Sequence, residues 1–153
     1  MRFLVAVLFL SIMYACGSAE WYNHQVNIPE TGWHKDTVAV FHSEINELDK
    51  SCHLLVEVTN KESYKYSNIW FFIDAISPSG HIERDTLECY LANDDGSWYG
   101  KSLGDDLYES IHSYKLNIRF PEKGVYKYYV IHGMRDTVLT DVASVGLKII
   151  EVE

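Results

Sequence analysis

The chain has 153 residues, enough for one domain and too few for two. Apolar residues make up 47% and charged residues 23%, ordinary globular usage that argues against a disordered tail, a collagen-like fibre and a long coiled coil. With 13 Lys+Arg against 22 Asp+Glu the formal charge is −9, so the surface lacks the cationic footprint that neutralises phosphates, and nucleic-acid binding is not expected.

Arg2 followed by an apolar run from Phe3 to Leu10, extended by Ile12 and Met13, has the pattern of an export signal over residues 1–15. The run is too short to cross a bilayer as a helix. Its end, Met13-Tyr14-Ala15-Cys16-Gly17-Ser18, resembles a bacterial lipobox, in which a small residue precedes a lipid-modified cysteine. Cys16 is therefore the expected acylation site, carrying three acyl chains, palmitate among them; simple cleavage nearby with Cys16 incidental is the alternative. Residues 16–32 hold Gly, Asn, Pro and polar residues without a clear period and read as a tether. A folded domain follows over 33–153.

Within it, short alternating or apolar segments recur between turn residues. Val38–His42 alternates, and Cys52–Thr59 places Cys52, Leu54, Val56 and Val58 on one face. Asn68–Ser77 is apolar on both faces, as in a central strand covered on two sides, which puts Trp70 in the core. Pro78-Ser79-Gly80 signals a hairpin to His81–Leu91, where Leu87, Cys89 and Leu91 share a face. The best candidate for a helical turn is Leu103–His112. Tyr114, Leu116, Ile118 and Phe120 alternate inward, and Pro121-Glu122-Lys123-Gly124 turns the chain so that Val125–His132 pairs back. Val145–Val152 is the last strand. This spacing predicts an all-β fold, a two-layer antiparallel β-sandwich of the jelly-roll or immunoglobulin-like kind with roughly seven or eight strands.

Catalytic signatures are missing. The seven histidines include no H-x-H pair and no H-E-x-x-H, and there is neither a G-x-S-x-G elbow nor a Gly-rich phosphate loop. No catalytic residue, metal or other cofactor is assigned, and the chain is not expected to be an enzyme. His42, His53 and His132 fall at strand positions that suit hydrogen-bonded structural roles. Cys52 and Cys89 stand either as a disulfide, which the envelope permits, or as two buried free thiols. Asp94 and Asp95, with Asp105 and Asp106 further on, offer the hard oxygen ligands Ca²⁺ favours, or are two solvated turns. Trp98, Tyr99 and Trp33 are candidates for stacking on sugar rings or anchoring a partner, against core packing.

Several segments in order resemble the gliding motility lipoprotein H (GldH) family. They are Tyr66-Ser67-Asn68-Ile69-Trp70 with Phe72, Pro78-x-Gly80, Asp85-Thr86-Leu87-Glu88, Leu91-Ala92, Gly96-x-Trp98-x-Gly100, Phe120-Pro121, Gly124-Val125-Tyr126, and His132-Gly133-Met134-Arg135 leading to Val145-Gly146-Leu147-Lys148. The resemblance implies a membrane-anchored, non-enzymatic envelope lipoprotein of the gliding motility and type IX secretion apparatus in the Bacteroidetes. It implies an outer-membrane location and, as partners, other proteins of that apparatus. Only Glu20 lies close behind Cys16, which favours the periplasmic face. Arg135 stands either in a buried ion pair or as a surface charge. The alternative function is a carbohydrate-binding sandwich with Trp98, Tyr99, Asp94 and Asp95 at its edge.

Overall fold

The computed structural model describes residues 18–152. The signal segment and Cys16 lie outside the described residues. Eleven strands form: β1 (Glu20–Asn27), β2 (Trp33–His34), β3 (Ala39–Ile45), β4 (Cys52–Lys61), β5 (Asn68–Ile76), β6 (Ile82–Tyr90), β7 (Lys101–Gly104), β8 (Leu107–Ile118), β9 (Gly124–His132), β10 (Val138–Leu139) and β11 (Val142–Glu151). Among the described residues there is no helix. A five-stranded sheet in the order β1-β11-β4-β8-β7 faces a four-stranded sheet in the order β3-β9-β5-β6, and β2 with β10 makes a small third pair. Every pairing is antiparallel. The sandwich is the expected architecture.

Strict alternation explains the core. Cys52, Leu54, Val56 and Val58 of β4 point inward beside Val145, Leu147 and Ile149 of β11. They meet Phe41 of β3, Ile69, Phe71 and Ile73 of β5, and Tyr126, Tyr128 and Val130 of β9. All are buried, and as one cluster they close the space between the sheets. The β5–β6 hairpin forms as its turn signal predicts, with Ile76 opposite Ile82 and Gly80 at φ 87°.

Four expectations are corrected. First, Glu20–Asn27, placed in the tether, is β1 and pairs with β11 along its length; a polar edge strand carries no alternation strong enough to betray it. Second, Val125–His132 does not pair back on β8: β9 lies between β3 and β5 in the other sheet, so residues Pro121 to Lys123 carry the chain across the sandwich. Third, Leu103–His112 contributes to β7 and β8 rather than to a helical turn. Fourth, Trp70 is not core. It points out of the four-stranded sheet and remains 37% exposed. On β8 the inward alternation is also broken: Leu116 is exposed, where pairing with β4 shifts register and Asn117 adopts φ 52°.

The two ends of the sandwich differ. At one end lie Ala19, Ser51, Arg119 and Val152, joined by the backbone bonds Glu151 N–H to Ala19 O and Val152 N–H to Ser51 O. At the other lie the loops carrying Tyr66, Trp98 and Arg135, about 26 Å away along the eight steps of β5.

Candidate functional site

The sequence-selected residues do not form one cluster. Cys52 and Cys89 are free, fully buried thiols. Cys52 pairs in register with Ile118, beside the cavity that Ala75 also lines, whereas Cys89 pairs with Ile69 at the opposite end of β5. Six residues of strand, about 20 Å, separate those ends, far beyond disulfide reach. The disulfide is therefore not formed. Burial pushes the Cys52 thiol up to about 11 and that of Cys89 up to about 12, so neither is a ready nucleophile.

Trp33, a candidate exposed aromatic, is core: it is 1% exposed and its Nε1–H donates to the Thr37 carbonyl at 2.8 Å. Asp94 and Asp95 are exposed. The Asp95 carboxylate is spent on its own turn, accepting from the Ser97 N–H at 2.9 Å and the Ser97 hydroxyl at 2.6 Å, which lowers its pKa. Among the described residues no three His, Cys, Asp or Glu side chains converge as metal ligands. Arg135 is exposed and makes no ion pair with a described carboxylate, so the buried-pair expectation gives way to a surface cation.

Trp98 is half-buried and Tyr99 is 58% exposed. The Trp98 ring sits 6.4 Å from Tyr64 and 6.1 Å from Tyr108, and Tyr64 meets Tyr66 edge-on at 5.9 Å. This aromatic row walls an open groove shared with Glu62, Lys65 and Ser97. Tyr66 is pinned by its hydroxyl, which donates to Asp136 at 2.6 Å; Lys65 binds the same carboxylate at 2.8 Å and lies over the Tyr66 ring.

Tyr66 also lines a second groove, completed by Asn68, Trp70, Gly133, Met134 and Arg135. Here the segments 66–72 and 132–135, far apart in sequence, meet. The Gly133 N–H donates to Trp70 O at 2.6 Å, and the Trp70 N–H points to Met134 Sδ at 3.4 Å. A Cβ at Gly133 would lie 3.1 Å from the Phe72 ring and 3.3 Å from Trp70 Cβ, so a larger residue there would push the Phe72 ring aside by a few tenths of an ångström. Inward, the neighbouring His132 donates Nε2–H to the Trp33 carbonyl at 3.0 Å, and its Nδ1 has no protein partner among the described residues.

From this groove an apolar stripe runs over the outer face of the four-stranded sheet. Phe72 lies opposite Ile131 and Val40 opposite Tyr129, so these side chains share that face. Val40 and Phe72 are 39% and 40% exposed. The outer face of the other sheet is polar instead: Glu57 accepts from Gln25 at 3.1 Å, and Lys148 lies 3.0 Å from Glu20 and 3.7 Å from Glu57. Sequence periodicity could not separate the two faces of β5, because both are apolar.

Two desolvated imidazoles, the buried His132 and the half-buried His112, predict an acid-sensitive fold. Desolvation lowers the pKa of His132, and that of His112, below the ordinary value. The unfolded chain then takes up protons first, so their stabilisation is complete above about 6.5 and is lost as pH falls through the folded values. The urea midpoint should fall between pH 7 and pH 5, and His132→Gln, which keeps an N–H donor for the Trp33 carbonyl, should flatten that slope. An unchanged slope would show that His132 titrates normally.

A family model described as GldH lipoprotein matches residues 20–149, from β1 into β11. A protein of Christiangramia forsetii named as a gliding motility lipoprotein GldH homolog is 32% identical over 84% of this chain and 78% of its own length. The gliding motility lipoprotein GldH of Flavobacterium johnsoniae is 26% identical over 95% of this chain and 93% of its own. Among solved structures, the infectious bursal disease virus VP2 subviral particle aligns with 88% of this chain and 32% of its own at a TM-score of 0.35 and 14% identity, too slight a likeness to define a shared fold.

Proposed function

Because this chain belongs to the GldH lipoprotein family, we propose that it is a lipid-anchored, non-enzymatic component of gliding motility that works by docking onto other proteins of the gliding and type IX secretion apparatus. Acylated Cys16 holds it in the outer membrane, on the periplasmic face. The observation that carries the docking reading is the apolar stripe of Val40, Tyr129, Ile131, Phe72 and Trp70, which no described element of the chain covers and which ends at the exposed Arg135. Contiguous exposed apolar surface with an aromatic and arginine edge is the composition of a protein-binding hot spot. No described cluster of nucleophile, base or metal ligands competes with that reading.

Photo-crosslinking in intact envelopes tests it. A benzophenone at position 72 should capture an envelope protein, and one at Ile111, exposed on the opposite sheet, should not. The double variant Trp70→Thr, Phe72→Thr should cost about 1 kcal/mol of stability at these half-exposed positions. It should weaken docking by up to about 1,000-fold, about 30-fold for each hot-spot aromatic at about 2 kcal/mol. Recovery of only uncrosslinked monomer from position 72 would overturn the docking face.

A carbohydrate-binding reading rests on Trp98, which lines an open groove that combines aromatic walls with Glu62, Lys65 and Ser97. Glycan-array binding lost in Trp98→Ala would favour it over docking.

A further inference from the structure

A separate concavity lies away from the aromatic end, at the opposite end of the sandwich. There the sheets part along the β8–β6 side around a cavity of about 260 Å³. Leu54, Ala75, Phe120, Tyr126 and Tyr128 wall it, with the Phe120 and Tyr126 rings packed 4.7 Å apart. The lining is mostly apolar, and its polar members are Ser77, His81, Glu83, Lys115 and Arg119. Lys115 is already engaged, 2.9 Å from Glu83 and 3.1 Å from Asp85. Arg119 is different. It is exposed, its Nε–H donates only to the Ser51 hydroxyl at 3.3 Å, and among the described residues no carboxylate lies within ion-pair distance.

Position gives the cavity its occupant. This is the end at which β1 begins, and Glu20 follows Cys16 by four residues. Four residues span at most about 14 Å, so a lipid on Cys16 brings this end, and no other, against the bilayer surface; that step rests on the anchoring proposed above. The cavity also falls short of the volume of a typical drug-sized site, about 300–1,000 Å³, which suits one segment of a flexible chain better than a rigid polycyclic ligand.

We propose that this cavity binds one acyl chain of an anionic single-chain amphiphile drawn from the surrounding bilayer, with Arg119 at its head group. The chain enters between β8 and β6, and the carboxylate or phosphate head stays at the surface. There the guanidinium offers a charge-assisted hydrogen bond in place of the carboxylate it lacks.

The test uses residues 18–153, which contain every described strand, without signal or anchor, and cis-parinaric acid as a fluorescent acyl probe. Binding is expected, with displacement by palmitate but not by dodecyltrimethylammonium, whose head has the wrong sign. Ala75→Phe should abolish probe uptake by filling the cavity. Arg119→Glu leaves the core untouched and should weaken palmitate about tenfold, the loss of one charge-assisted hydrogen bond. With the acylated protein in lipid nanodiscs, Ala75→Phe should still lower probe binding relative to the unsubstituted protein; if it does not, the protein's own acyl chain fills the site and the bilayer source is wrong. Folded protein that binds no probe, or binding indifferent to both substitutions, overturns the site. Because neither an anchor nor a protein partner is present in the first arm, such a failure leaves the proposed anchoring and docking untouched.

Discussion

Trp33→Ala should destabilise the fold by about 3–5 kcal/mol, which would consume much of the roughly 5–15 kcal/mol that holds a domain of this size together. Trp33 is among the largest fully buried side chains. Its ring packs 5.9 Å from Phe71 and 5.6 Å from His132, its Nε1–H satisfies the Thr37 carbonyl, and its own carbonyl receives His132. It also pairs with Leu139 of β10, so one residue ties the small sheet to the core. Alanine leaves a cavity and an unsatisfied carbonyl together. Trp33→Phe keeps most of the volume and should cost about 1–3 kcal/mol, mainly for the lost hydrogen bond. Urea unfolding followed by circular dichroism measures both. A cost under about 1 kcal/mol for alanine would mean that the ring does not sit where the structure puts it.

Cys16→Ser should strip the acyl chains from the amino-terminal peptide, so that whatever membrane association persists rests on protein docking and is lost in a high-salt or urea wash. Each buried methylene contributes about 0.8 kcal/mol and a single myristoyl chain binds only marginally, so several chains hold almost permanently and none holds at all. Among the described residues no helix is long and apolar enough to cross a membrane. Fractionation with mass spectrometry of the amino-terminal peptide measures the effect. An amino-terminal peptide that carries no acyl group in the wild-type protein would refute the lipid anchor.

Much of the sandwich was legible because β4 and the β5–β6 hairpin obey local rules. One face of Cys52–Val58 is uniformly apolar, and Pro78-Ser79-Gly80 can only turn. What escaped was set by partners distant in sequence. The Pro121–Gly124 turn looks the same whether the next strand returns to β8 or crosses to join β3, and only the finished core chooses between them. β1 is a strand because β11 offers it an edge. At the candidate site, Trp98 and Tyr99 could be picked by residue type, and the segments around Trp70 and Met134 by resemblance. The meeting of the Trp70 and Met134 segments, sealed by the Gly133 N–H on the Trp70 carbonyl, is a tertiary fact. Trp70 was misplaced for a plain reason: an apolar residue on a strand with two apolar faces looks buried whether or not anything covers it.

The pairing of β1 with β11 has a consequence for biogenesis. The first described strand finds its ladder only against the last one, so the five-stranded sheet stays open until nearly all of the chain has been made. A polypeptide with that wiring cannot complete its larger layer from a nascent amino-terminal half, and a truncation that removes β11 orphans β1 as well.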